Sequence, residues 1–237
     1  MVKVSVITST CNRGRFMDRL VTMYRQQTYP SNDMEWIVLD DGQDAVGPVF
    51  LPKVSDLPNI RYMKHPEKLT MGAKLNILLQ EARGSIIVVM DDDDYYPPER
   101  VEHAVNALDT NPSINVVGCS LVYMYYTDLR QVMSAGPYHK NHALNCTLAF
   151  RKSYCETHRY DDKETCAVES AFLSDYSEPM VQLDPYKTIL HIIHSSNTFR
   201  AIKARNEGTL GLLKQTSLTL ESFIQNNKMR LLFLDAY

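Results

Sequence analysis

Four carboxylates stand side by side at Asp91, Asp92, Asp93 and Asp94. Adjacent acids repel one another and resist ionising together. A bound divalent cation relieves that repulsion, and hard cations such as Mn2+ and Mg2+ favour carboxylate oxygen. Acidic runs are often solvated turns, but this one follows Ile86, Ile87, Val88, Val89 and Met90 and stops at Pro97 and Pro98. A short unbroken apolar run reads as a strand buried on both faces, as in a parallel sheet. The acids then lie at the strand's carboxyl end, the edge at which open α/β sheets bind ligands.

Other polar groups fall at the ends of other predicted elements. Val2 to Thr8 reads as a first strand, followed by the small polar turn Thr8-Ser9-Thr10-Cys11-Asn12-Arg13-Gly14. Arg15 to Gln27 has Phe16, Leu20 and Met23 at helical spacing. Glu35 to Leu39 is a second strand that runs into Asp40, Asp41 and Gly42, and Gln43 to Pro58 is loop-like. Ile60 to Met63 is a short strand. Met71 to Ala82 is a helix with Leu75, Leu78, Leu79 and Ala82 on one face, stopped by Gly84. Pro98 suits the first turn of a helix buried through Val101, Ala104, Val105 and Leu108. Strands alternating with helices predict a mostly parallel α/β half.

The second half changes character. Asn115 to Tyr126, Arg130 to Ala135, Leu148 to Arg151 and Thr188 to His194 read as strands. Ala167 to Ser174 is a short helical piece, and Thr216 to Asn226 is a helix through Leu218, Leu220, Phe223 and Ile224. The expectation is one continuous mixed sheet flanked by helices, in a single domain over residues 1–237. The terminal LLFLDAY reads as a docked end or as the edge of a larger protein.

Composition narrows the function classes. A net charge of −3 gives no electrostatic case for nucleic acid as a partner. No stretch approaches the roughly 18 apolar residues of a transmembrane helix. The strand-like start MVKVSVITST is a poor signal peptide. The five cysteines are odd in number and match no zinc spacing, so they are expected to be reduced thiols. The expected setting is cytoplasmic, free or peripheral to a membrane.

Four segments, VSVITSTCNRGRFMDRL, EWIVLDDG, GAKLNILLQEARGSIIVVMDDDDYYPPERV and HIIHSSNTF, in this order, resemble the inverting, family 2-type glycosyltransferases of the GT-A fold. The resemblance runs from Val4 to about Phe199. It implies a nucleotide-binding half of about residues 1–110 and an acceptor half of about residues 111–237. Thr8, Thr10 and Asn12 would line the ribose and base, and Asp41 would hold the base, typically uracil, with Asp40 assisting or capping the turn. Gly72 would allow close approach, and Lys74 would favour the nucleotide or its phosphates. Lys stands where Arg is commoner, which loses a bidentate fork. Asp93 would be the direct ligand of Mn2+ or Mg2+, with Asp91 and Asp92 on ribose, sugar or metal-bound water. His194 would complete the metal shell or touch the pyrophosphate. His191, three residues earlier on a strand, would face the other way as a structural residue.

The catalytic base implied by the resemblance is Glu169, the second acid of a pair whose first position here is Val168. That departure leaves Asp161, Asp162, Glu164 and Asp175 as rivals. Such an enzyme would move one sugar from a nucleotide-diphospho-sugar, most simply a UDP-sugar, to a hydroxyl of a glycan, glycolipid or protein-linked acceptor. Similar processive synthases carry Gln-x-x-Arg-Trp and membrane helices. This chain has neither, so one sugar per binding event is expected. Two other readings stand beside this one: a nucleotidyltransferase that makes sugar nucleotides, and a non-catalytic nucleotide- or glycan-binding module.

Overall fold

The structure is a computed structural model that describes residues 2–208 and 211–234. Its first half runs β1 (Val4–Thr10), α1 (Met17–Arg25), β2 (Met34–Asp40), α2 (Gly47–Phe50), β3 (Ile60–Lys64), α3 (Met71–Glu81), β4 (Ile86–Val89) and α4 (Arg100–Asp109). Its second half runs β5 (Val116–Gly118), β6 (Val122–Tyr126), β7 (Gln131–Ala135), β8 (Ala149–Arg151), α5 (Glu169–Phe172), β9 (Met180–Gln182), β10 (Leu190–Ile193), α6 (Ala201–Asn206), β11 (Leu213–Gln215) and α7 (Asn227–Leu234).

The larger sheet has seven strands in the order β3-β2-β1-β4-β8-β5-β9. The four strands of the first half are parallel, and β8 runs against both β4 and β5. The apolar runs are buried because both faces of this sheet are covered. Ile86 and Val88 point into one core with Trp36 and Phe16, while Ile87 and Val89 point into another with Ile7, Leu75 and Phe172. Each fully buried aliphatic side chain contributes about 1.5–3 kcal/mol, so the sheet is a rigid base for its own carboxyl edge.

Two expectations fail in the second half. A single sheet was expected, but β6, β7, β10 and β11 form a separate four-stranded sheet in the order β10-β6-β7-β11. The expected strand from Asn115 to Tyr126 breaks at Cys119–Leu121, so β5 lies in one sheet and β6 in the other. At the break the amides turn to side chains: Cys119 N–H donates to Thr147 Oγ1 at 2.9 Å and Ser120 N–H to Gln182 Oε1 at 2.7 Å. Amides spent this way cannot continue a ladder.

The helix expected over Thr216–Asn226 is also absent. Thr216 Oγ1 donates to Val132 O at 2.6 Å, and Thr219 and Ser222 cap a single 3-10 turn, Leu220–Ser222. Leu220 and Ile224 are buried four residues apart, which imitates a helix face without forming one. The helix begins instead at Asn227, where Asn226 Oδ1 accepts Met229 N–H at 3.1 Å. α2 lies in the stretch expected to be loop-like, and α6 and β11 lie where no element was expected. The tail docks through Phe233, edge-on to Tyr95 at 5.7 Å; residues 235–237 of the LLFLDAY segment lie outside the described residues.

Candidate active site

The strand order places a topological switch between β1 and β4, where neighbouring connections leave in opposite directions and open a crevice at the carboxyl edge. Parallel register brings Ile7 beside Val89 and Thr10 beside Asp40, so the polar ends of three strands share one rim. Met90 N–H donates to Ile7 O at 3.1 Å and extends that pairing to the edge of the acidic run.

The acidic run is fixed from behind by two buried arginines. Arg19 Nη2 donates to Asp93 O at 2.9 Å, and its guanidinium lies over the rings of Phe16 and Phe233. Arg100 Nη2 donates to the carbonyls of Thr147 and Leu148 at 2.9 Å and of Val89 at 3.3 Å, tying the end of β4 to the segment entering β8. Tyr96 Oη accepts Asp91 N–H at 2.7 Å.

The four acids have four environments. Desolvation, then repulsion from Asp94, Asp93 and Asp92, pushes the Asp91 carboxyl up to about 8. Burial also raises Asp92, against the pull of Arg13. Burial would raise Asp93 too, but a hydrogen bond from His194 and the charge of Arg13 outweigh it and hold that carboxyl well below the usual range. Asp94 Oδ1 accepts His191 Nδ1–H at 2.7 Å and Ile192 N–H at 2.8 Å. Burial opposes the charge on His191, yet the Asp94 partner wins and raises it to about 9.

His191 and His194 reach different acids, as strand alternation implies. Ser196 N–H donates to His194 Nδ1 at 3.2 Å, which leaves Nε2 to carry the proton toward Asp93 Oδ2 at 3.1 Å. Asn197 Nδ2 donates to the same carboxylate oxygen at 3.2 Å, and Asn197 Oδ1 accepts His194 N–H at 2.6 Å. His191 is among the residues that line the cavity at this edge, and His194 is not.

The cavity at this edge holds about 140 Å³ and is lined by Asp91, Asp92, Asp93, His191, Asn197, Arg13 and Glu169 among others. Glu169 is 7% exposed, at the first residue of α5, and burial raises its carboxyl. The backbone around it is strained: Ala167 on one side and Ser174, Asp175 and Tyr176 on the other all have positive φ, between 48° and 60°. Left-handed non-glycine residues persist where surrounding structure holds them, and they concentrate at functional sites. Val168 is packed into the core with Leu75 and Phe172, which explains an apolar residue where similar enzymes carry an acid. Of the rival acids, Asp162 is held by Asn76 at 2.7 Å and Arg159 at 2.5 Å, and Asp175 by Ser170 at 3.0 Å. Glu169, unlike Asp161, Asp162, Glu164 or Asp175, lines the cavity.

The residues expected around a nucleotide divide into two groups. Thr8, Asp40, Asn12 and Gly72 are engaged by the chain itself. Thr8 Oγ1 donates to Met90 O at 2.7 Å and accepts from Trp36 Nε1 at 3.0 Å. Asp40 accepts from Gly42 N–H, Val46 N–H and the Tyr62 hydroxyl. Asn12 takes a left-handed turn, φ 55°, and its Oδ1 accepts Asp44 N–H at 2.9 Å. A Cβ on Gly72 would meet Asp161 O at 1.8 Å, so the close approach that glycine permits is that of the 161–164 backbone.

Thr10, Asp41 and Lys74 form the second group. Lys74 Nζ lies 3.2 Å from Asp41 Oδ1, Lys68 lies 3.4 Å from the same carboxylate, and Leu69 N–H donates to Oδ2 at 2.8 Å. Burial would raise Asp41, but that amide and the two lysines lower it. Asp92 Oδ2 and Thr10 Oγ1 are buried and neither makes a hydrogen bond of ordinary geometry, although the Thr10 hydroxyl is near enough to lower the Asp92 carboxyl.

Sequence reasoning missed Arg13. Its Nη1 bridges Asp92 Oδ1 at 2.7 Å and Asp93 Oδ2 at 2.8 Å, and its Nη2 donates to Ser196 O at 3.0 Å. The signal was one basic residue in the turn after β1, facing a run of four acids that needs countercharge. A larger groove, about 880 Å³, lies at the opposite edge of the sheet between Lys3, Arg83 and Arg151. Two of its cations are engaged: Lys3 pairs with Asp109 at 2.8 Å, and Arg151 binds the carbonyls of Ile114 and Leu108.

Comparison with known proteins bears on the fold and the family. No curated protein sequence matches the chain. The Staphylococcus aureus TarS 1–349 structure in complex with UDP-GlcNAc is 18% identical, covers 83% of this chain and 60% of its own length, and superposes with a TM-score of 0.67. The mannosyltransferase PcManGT from Pyrobaculum calidifontis, in complex with GDP-Man and Mn2+, is 16% identical, with 99% of this chain and 69% of that one covered and a TM-score of 0.68. The chain thus spans about 60% of the TarS 1–349 structure. At these identities the likeness shows the GT-A fold. The family description "Glycosyl transferase family 2" matches residues 5–160, about two thirds of the sequence, and the chain belongs to that family of sugar transferases.

Proposed function

We propose that the protein is a metal-dependent, inverting and non-processive glycosyltransferase that uses a UDP-linked sugar and an acceptor hydroxyl on a glycan, glycolipid or protein-linked acceptor. It acts as a single catalytic domain with a donor half and an acceptor half. The observation that carries this reading is the shared cavity: a buried glutamate and three strand-end aspartates line the same cavity at the switch point of the sheet.

The donor set fits a divalent cation. It offers carboxylate oxygen, it includes a buried Asp92 Oδ2 without an ordinary hydrogen bond, a guanidinium already bridges Asp92 and Asp93 as a cation does, and His194 Nε2 would join the set on giving up its proton toward Asp93. Asp93 and His194 would hold Mn2+ or Mg2+, which supplies electrostatic stabilisation of charge on the departing diphosphate. Asp91 and Asp92 would contact the ribose, the sugar or metal-bound water. Asp41 accepts a hydrogen bond from the base, and Lys74 steadies Asp41 and favours the anionic nucleotide.

Glu169 performs the proton chemistry. Its carboxylate takes the proton of the acceptor hydroxyl, and the oxygen attacks the anomeric carbon from the face opposite the diphosphate. The bond between sugar and phosphate breaks with its electron pair on the diphosphate, and the anomeric configuration inverts. Burial raises Glu169 and so strengthens it as a base.

The test is a donor panel of UDP- and GDP-sugars with Mn2+ or chelator, read by nucleotide release and by the anomeric configuration of the product. Metal-dependent release of UDP with an inverted product supports the reading. A retained configuration contradicts the role of Glu169. Pyrophosphate release from UTP and a sugar phosphate would favour a nucleotidyltransferase, and nucleotide binding without turnover would favour a binding module.

A further inference from the structure

We propose that Arg13 is a resident countercharge that keeps free metal off the acidic strand end and yields its place when a nucleoside diphosphate arrives. The proposal rests on the reading of Asp93 as a metal ligand. Arg13 Nη1 sits 2.7 Å from Asp92 Oδ1 and 2.8 Å from Asp93 Oδ2. The Asp93 oxygen it contacts also accepts from His194 and Asn197. A divalent ion bound to that oxygen at about 2.0–2.2 Å would stand against a guanidinium within hydrogen-bonding distance of the same atom. Two positive centres at such spacing repel strongly in a partly buried site. Metal binding at that oxygen is therefore opposed while the Arg13 side chain stays in place.

The local structure allows the side chain to move while its backbone stays. Asn12 anchors the preceding residue through Asp44 N–H, and a Cβ on Gly42 would lie 2.4 Å from Asn12, so the 12–13 turn is packed against the 42–44 turn. The Arg13 side chain itself is 20% exposed, and its third contact is a single carbonyl on exposed Ser196. Arg15 Nη2 holds the Ser196 hydroxyl at 2.7 Å, so the 194–197 segment keeps an anchor when Arg13 departs.

A diphosphate gives Arg13 a destination. Phosphate oxygens match the guanidinium fork, so Arg13 exchanges carboxylate partners for phosphate partners without becoming unpaired. Metal alone breaks the Arg13 pairs without replacing them, whereas metal with nucleotide replaces them. The two affinities are then coupled, and each ligand strengthens the other by the same factor. The cavity of about 140 Å³, which Arg13 lines, is too small for a nucleotide-sugar, consistent with a site that Arg13 partly fills.

The experiment titrates Mn2+ into the wild-type chain, Arg13→Met, Arg13→Gln and Arg13→Lys, each alone and with saturating UDP or GDP, reading free Mn2+ by paramagnetic resonance against a protein-free titration at the same nucleotide concentration. Circular dichroism confirms that each variant is folded, and two neutral variants guard against failure of either. The wild type is expected to bind Mn2+ at least about tenfold more weakly without nucleotide than with it. Arg13→Met and Arg13→Gln should bind Mn2+ alone about tenfold more tightly than the wild type, with a smaller further gain from nucleotide than the wild type shows. Arg13→Lys, which keeps the charge, should stay on the weak side. Nucleotide-free Mn2+ affinity that is unchanged or weaker in both neutral variants overturns the proposal. Absence of Mn2+ binding by every form, even with UDP or GDP, would instead overturn the Asp93 metal reading beneath it.

Discussion

Asp40 and Asp41 are adjacent and chemically identical, yet the structure gives them different work, and Asp40→Asn tests the difference. Asp40 is fully buried. Its Oδ1 accepts Gly42 N–H at 2.8 Å, and its Oδ2 accepts Val46 N–H at 2.8 Å and the Tyr62 hydroxyl at 2.7 Å. An asparagine carbonyl replaces one of those oxygens, and the amide nitrogen must face the other set. Turned toward Gly42, it meets an N–H with a second donor. Turned the other way, it meets Val46 N–H, while the Tyr62 hydroxyl can rotate and accept. Either placement loses one charge-assisted bond, about 1.5–3 kcal/mol, and leaves a buried donor facing a donor, for a total of about 2–4 kcal/mol. In a domain of this size each kcal/mol moves the melting temperature by about 2–4 °C, so scanning calorimetry should show a fall of about 4–16 °C. Nucleotide affinity measured well below the transition should be retained. A melting temperature within about 1 °C of wild type, or an undisturbed melt with lost UDP binding, would refute the assignment of Asp40 to the turn.

Other expectations are as direct. Glu169→Gln should lower turnover by about 10²–10⁴-fold while UDP affinity in Mn2+ stays within error, and comparable turnover in the variant would remove Glu169 as the base. Gly72→Ala puts a methyl 1.8 Å from the Asp161 carbonyl and should cost about 1–3 kcal/mol in denaturant unfolding, whereas an unchanged midpoint would mean that the 161–164 segment is not packed there. His191 is raised to about 9 against burial by Asp94. Its contribution to stability is therefore full below its ordinary value of about 6.5 and is lost as pH rises through about 9. The gap in unfolding midpoint between wild type and His191→Gln should close over that window, and a gap that is constant with pH would argue against the ion pair.

The first half of the fold was legible because its signals agree. Continuous apolar runs at Ile37–Leu39 and Ile86–Val89 can only be buried on both faces, and the helices between them carry one apolar face each. The second half was not, because its sheet change is made by side chains: Thr147 and Gln182 capture the amides of Cys119 and Ser120 from distant positions. Leu220 and Ile224 have helical spacing, but Thr216, Thr219 and Ser222 hold the backbone in turns. The acidic edge was readable as a cluster. The separate environments of its four carboxylates were not, since they depend on Arg13, His191 and His194 arriving from elsewhere in the chain. Likewise, the family resemblance assigned Thr8, Asn12 and Gly72 to the nucleotide edge, and only the structure reveals that Met90, Asp44 and the Asp161 backbone pack against them.

The central claim is that the strand-end acids bind a nucleotide through a metal, and calorimetric titration of UDP tests it most directly. The titration is run in Mn2+ and in chelator, on the wild type and on Asp93→Asn. The account predicts binding that the chelator abolishes and that Asp93→Asn cannot restore at any practical Mn2+ concentration. UDP binding of equal strength with chelator, or with Asp93→Asn in Mn2+, would contradict it.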